Sequence, residues 1–195
     1  MGSGARLDKG FYYLDTYQEN LLSPQKRKKY FRADILNLSN QMIKQMSKFD
    51  FIRMQHVFEH FTWEEGQICL KNCANLMKRD AYILITVPDL RAHIQKYLNN
   101  EYRKSNEPDK NDFSAWAQRR IPGNAPNSFY FSVFAHSMSF EPHKWCYDAR
   151  GLIYQLKKTG KFSNIKELKI SDELASKPFT HNRPEEDVCV IANLK

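Results

Sequence analysis

Residues 49–60 read FDFIRMQHVFEH and place two imidazoles, an amide and a carboxylate within six positions, Gln55 to His60. Two chemistries fit such a cluster. His56 and His60 with Glu59 spell H-x-x-E-H, a spacing at which two imidazoles on one helix face bind zinc. The zinc reading, a remote zinc hydrolase, needs both histidines in mid-helix and a third protein ligand from elsewhere. The other chemistry belongs to a strand end. FDFIRM alternates as a strand does, and in open α/β sheets ligands bind just beyond the carboxyl ends of strands. There Gln55 and His56 would border a bound nucleoside-type cofactor.

The flanking signals favour the strand end. Thr62 and Glu65 form a T-x-x-E capping box, so a helix is expected to begin after the motif. Ile68, Cys69, Cys73, Leu76 and Met77 then recur at helical spacing. No metal ligands are therefore assigned. YYLDT (12–16) and YFRADILNL (30–38) read as strands ending at or near Asp15 and Asp34. AYILITVPD (81–89) is β-branched and apolar, a buried strand stopped by Pro88. Helices are expected over 90–102 and 149–159, the second capped by Asp148 and ended near Gly160. KELKISDEL and VCVIANLK close the chain as two strands with no helix signal between them, an antiparallel edge. Residues 103–130 are rich in Asn, Pro, Ser and charge and read as an insertion or lid.

This order predicts one domain over 1–195, a Rossmann-like three-layer α/β sandwich with a mostly parallel sheet and an antiparallel C-terminal edge. The 195 residues suffice for a real core, and 42% are hydrophobic. No run reaches the roughly 18 apolar residues that a membrane span requires. MGSGARLDKG has no apolar h-region, so no signal peptide is expected in it. Cys69, Cys73, Cys146 and Cys189 form no C-x-x-C pair; reduced thiols and a cytoplasmic setting follow. The formal net charge of +8 favours anionic partners, and KRKK (26–29) is the densest basic run.

A nucleoside-bearing cofactor needs glycine for close backbone approach and a carboxylate for the ribose hydroxyls. Gly2-Ser3-Gly4, Gly10, Asp15 and Asp34 supply these in order. With QHVFEH and ITVPDL they make the chain resemble class I S-adenosylmethionine-dependent methyltransferases of the type-11 group. HKWCYDARGLIYQLKKTGKFSNIKEL extends the likeness to nearly the whole chain.

The resemblance implies S-adenosyl-L-methionine as cofactor, with Gly2, Ser3 and Gly4 along its methionine and ribose. Asp15 would bind the ribose hydroxyls, Asp34 and the backbone near Ile35 would face the adenine, and Gln55 and His56 would flank the sulfonium. It further implies methylation of a small-molecule or glycan hydroxyl, with His136 or His143 as general base and an enzyme of glycan assembly, such as a glycosyltransferase, as a fused or associated partner. The acceptor can be anionic. The chain departs from the family's pattern twice. Lys78-Arg79-Asp80-Ala81 replaces a glycine-rich turn, and the family's first strand would lie upstream of Met1, so it is expected to be either missing or supplied from upstream. The competing reading is a basic, catalytically inactive module of the same fold that binds nucleic acid or protein. No RNA-recognition signature accompanies it.

Overall fold

The structure, a computed structural model, describes residues 11–16, 29–46, 48–99, 143–172 and 184–195. Gly2, Ser3, Gly4, Gly10, His136 and the expected insertion at 103–130 lie outside the described residues.

Two short parallel strands, β1 (Tyr13–Asp15) and β2 (Tyr30–Arg32), form one sheet. The expected long strand over 30–38 is shorter for a local reason. Asp34 accepts the Leu36 N–H at 2.9 Å and turns the chain into a 3-10 segment, Ile35–Asn37. A short helix unforeseen in the sequence follows, α1 (Asn40–Gln45), capped by Ser39.

The second sheet has four strands. Strand β3 (Phe49–Gln55) runs parallel to β4 (Met77–Pro88), and α2 (Trp63–Leu76) makes the crossover between them. After α3 (Leu90–Leu98) and α4 (Ala149–Lys158) come β5 (Phe162–Leu168) and β6 (Asp187–Leu194). Strand β6 is antiparallel to both β4 and β5. The antiparallel closing pair is as expected, although β5 begins upstream of KELKISDEL. The described sheets are mixed rather than mostly parallel, because β6 enters between β4 and β5.

Helix α2 starts where the capping box predicts. Thr62 Oγ1 accepts the Glu65 N–H at 3.2 Å, and Glu65 Oε2 accepts the Thr62 N–H at 2.8 Å. Its inward face is Gly66, Cys69, Leu70, Cys73, Ala74 and Leu76; Ile68 points out and is exposed. Gly66 is needed there, since a Cβ would stand 3.0 Å from the ring of the fully buried Phe58. All four cysteines are free thiols, and Cys69, Cys73 and Cys189 are buried.

In β4 the side chains alternate between two cores. Ile83, Ile85 and Val87 join α2 and α4 in the main core, while Leu84 packs with Cys189 and Ile191. Leu14, Ala33 and Ile35 from the β1–β2 unit share the main core with Ile52 and Met54. The Asn72 amide also reaches across to the Ile35 carbonyl at 2.7 Å. Lys78–Ala81, expected in place of a turn, lies within β4 at an irregularity where the pairing shifts from Phe49–Met77 to Phe51–Tyr82, and Asp80 takes φ +61° there, a conformation that aspartate tolerates better than most residues.

Candidate functional site

Strand β3 ends at Gln55, and the next residue reverses the backbone. His56 adopts φ +53°, the left-handed region rarely used outside glycine, while its N–H still donates to the Thr86 carbonyl at 2.9 Å. That conformation aims the ring between two carboxylates. Nδ1 lies 3.3 Å from Glu59 Oε1 and Nε2 lies 3.2 Å from Asp187 Oδ2. Burial alone would push the His56 pKa down. The hydrogen bonds to Asp187 and Glu59, and the charges of both, raise it to about 10. His56 is thus an imidazolium at neutral pH, a fixed donor rather than a base.

Asp187 arrives here through topology. It opens β6 opposite Pro88, so the antiparallel strand brings its first residue to the edge where β3 and β4 end. Nothing in the sequence links two residues 131 positions apart, and Asp187 is absent from the sequence-derived site.

Glu59 is the second residue the sequence undervalues. It sits in a 3-10 turn, Phe58–His60, at 2% exposure. Its Oε1 faces His56 Nδ1 at 3.3 Å, and its Oε2 has no hydrogen-bond partner among the described residues. Its carbonyl accepts the N–H groups of Lys144 and Trp145, at 2.8 and 3.2 Å. Those two bonds hold the 143–147 segment against the turn. The segment continues to Tyr147, whose carbonyl accepts the Leu90 N–H at 2.8 Å just past the end of β4. His143 Nε2 consequently lies 4.0 Å from Glu59 Oε1, and its ring meets that of His60 edge-on at 4.9 Å. A cleft lined by Pro88, Leu90, His93, Trp145 and Cys146 opens onto Glu59 and His143. Burial lowers the His93 pKa and raises that of Cys146.

The remaining sequence-derived residues fall at strand ends of their own. Asp15 closes β1, and its carbonyl accepts the Ala33 N–H at 3.0 Å. Asp34 holds its turn with both oxygens, Oδ2 accepting the Asn37 amide at 2.6 Å. Ile35 is buried, so any ligand contact there belongs to its backbone. Gln55 Oε1 accepts from the Arg53 guanidinium at 2.6 Å. The residues 56–60 are not an α-helix, so His56 and His60 do not share a helix face as the H-x-x-E-H zinc reading requires.

No protein-family model matches the chain, and no curated protein matches it. Solved structures do. The S-adenosylmethionine-dependent methyltransferase SibL, in its apo form, superposes with a TM-score of 0.50 at 12% identity. The small RNA methyltransferase HEN1 superposes with a TM-score of 0.51 at 10% identity. The fold is that of the class I methyltransferases. Each superposition covers 93% of this chain, against 42% of SibL and 20% of HEN1, so the chain spans less than half the length of either. Within the methyltransferase fold, the Gln55–His60 strand end and the 143–147 segment lie together at the carboxyl edge of β3 and β4.

Proposed function

We propose that this chain is an S-adenosylmethionine-dependent methyltransferase domain, a three-layer Rossmann-like sandwich that methylates the hydroxyl of a small molecule or glycan. The observation that carries the reading is the end of β3, where a left-handed His56 is clamped by Glu59 and Asp187 at the edge on which ligands of open α/β sheets bind. The fold likeness supports it. S-adenosylmethionine, when bound, would supply an already activated methyl group for transfer to the acceptor oxygen, whose proton would pass to a base or to water.

The protein's part is mainly to align the two reactants. Gly2, Ser3 and Gly4 would line the methionine and ribose, and Asp15 would take the ribose hydroxyls. Asp34 and the Ile35 backbone would meet the adenine, with Gln55 and His56 beside the sulfonium. Asp34 spends its oxygens on its own turn, so its contribution is to shape the backbone. An anionic or nucleotide-linked sugar suits the net charge of +8, and the four unpaired cysteines suit a cytoplasmic setting. His136 remains the candidate general base, since His143 faces Glu59 and His60.

Calorimetry with S-adenosylhomocysteine tests the reading. Micromolar affinity is expected, weakened at least about tenfold, or about 1.4 kcal/mol, by Asp15→Ala. No heat of binding to the folded chain would overturn the reading in favour of the inactive binding module.

A further inference from the structure

We infer that Glu59, His60 and His143 form a binding site for one divalent transition-metal cation. One ligand atom from each residue lies within 4.8 Å of the other two. The sequence assigned no metal here, and its H-x-x-E-H alternative paired His56 with His60. The structure instead clamps His56 between Asp187 and Glu59 Oε1 and completes the group with His143, 84 positions beyond Glu59 in a segment pinned by main-chain hydrogen bonds.

Three observations carry the inference. The first is Glu59, 2% exposed, whose Oε1 meets His56 Nδ1 at 3.3 Å while its Oε2 has no hydrogen-bond partner among the described residues. A buried carboxylate oxygen without a donor is costly, and a cation is the other way to satisfy it. The second is the placement of the nitrogens. Metal–ligand bonds of about 2.1 Å separate adjacent donors by about 3.0–3.5 Å, so the group closes on an ion through side-chain movements of about 1 Å. The third is access. The cleft beside Trp145 and Cys146 reaches Glu59 and His143, so an ion there keeps coordination positions open to water or to an oxygen of a small molecule. Two imidazoles and one carboxylate suit zinc, cobalt, manganese or iron(II), whereas magnesium and calcium prefer sets made of oxygen alone.

Binding is measured without a methyl donor, so its failure leaves the methyl-transfer reading untouched. The full chain, stripped with chelator, is titrated with zinc and with cobalt(II) by calorimetry, and the cobalt form is examined by visible absorption. One ion per chain is expected, with a d–d band stronger than that of aqueous cobalt because nitrogen ligands lower the site symmetry. Glu59→Gln and His143→Ala should each weaken binding at least about tenfold, while Asp50→Asn, at an exposed carboxylate paired with Lys78, should leave it unchanged. Should the Glu59 variant fail to fold, His143→Ala and the cobalt spectrum of the unaltered chain carry the test. No binding of either metal, no enhanced band, or affinity unchanged in His143→Ala (an adventitious ion only) would overturn the inference.

Discussion

A carboxylate taken out of water needs donors or cations around it, and Glu59 is ringed by histidines: His56 at 3.3 Å, His143 at 4.0 Å and His60 within the same group. His56 pays for its place with a backbone at φ +53°. A left-handed conformation costs a residue with a Cβ about 1–2 kcal/mol, so glycine at this position would relieve the backbone. It would also delete the only ring that lies between Glu59 and Asp187 among the described residues. Removing one partner of a buried charged pair costs about 3–5 kcal/mol, and His56, with a side chain 38% exposed, stands below that range. The second effect still exceeds the first. His56→Gly is therefore expected to lower stability by about 1 kcal/mol despite the relief, measured by urea denaturation. A variant as stable as the parent would show that the clamp contributes nothing net.

The elements that carry these residues are set by their ends. Helix α4 begins because Asp148 accepts the Gly151 N–H at 2.9 Å, with the Arg150 guanidinium 2.8 Å from its other oxygen. Partial burial works to raise the Asp148 pKa, but the hydrogen bonds from Gly151 and Arg150 and the charge of Arg150 prevail and hold it below the usual carboxylate value. A depressed folded-state pKa contributes stability that is present above the unfolded value, about 3.9, and is lost as pH falls through the lower folded value. Asp148→Asn keeps a capping oxygen and loses the charge, so it should cost about 0.5–1 kcal/mol at pH 7. The deficit should shrink as the pH drops below about 4. Chemical denaturation at pH 7 and pH 3 checks this, and a deficit constant across that range would assign the loss to packing instead. The cap matters to the site because α4 follows directly on the 143–147 segment that presents His143.

At the scale of the whole molecule, what was legible in the sequence was what neighbouring residues decide. The Thr62–Glu65 box, the Asp148 cap, the 81–88 strand and the end of β3 at Gln55 are all written in short windows, and all stand in the structure. What was not legible depends on strands meeting. Asp187 joins the site only because β6 runs antiparallel to β4, and Glu59 changes from a surface charge to a buried one only because residues 143–147 fold over it. The same long-range packing ties the β1–β2 unit, with Asp15, to the sheet that carries His56, through Leu14, Ala33 and Ile35 against Ile52 and Met54. A ligand held by Asp15 at one end and by Gln55 and His56 at the other would bridge those two units, so its binding should register as stability of the whole domain. At 100 times its dissociation constant, S-adenosylhomocysteine would stabilise the folded state by about 2.7 kcal/mol. For a domain of this size each kcal/mol raises the melting temperature by about 2–4 °C, so a shift of about 5–11 °C is expected in a thermal melt. Asp15→Ala should shrink that shift at the same ligand concentration, each variant being compared with its own ligand-free melting temperature. A shift that survives Asp15→Ala intact would place the ligand away from β1, and a single-unit site at the end of β3 would then replace the bridging one.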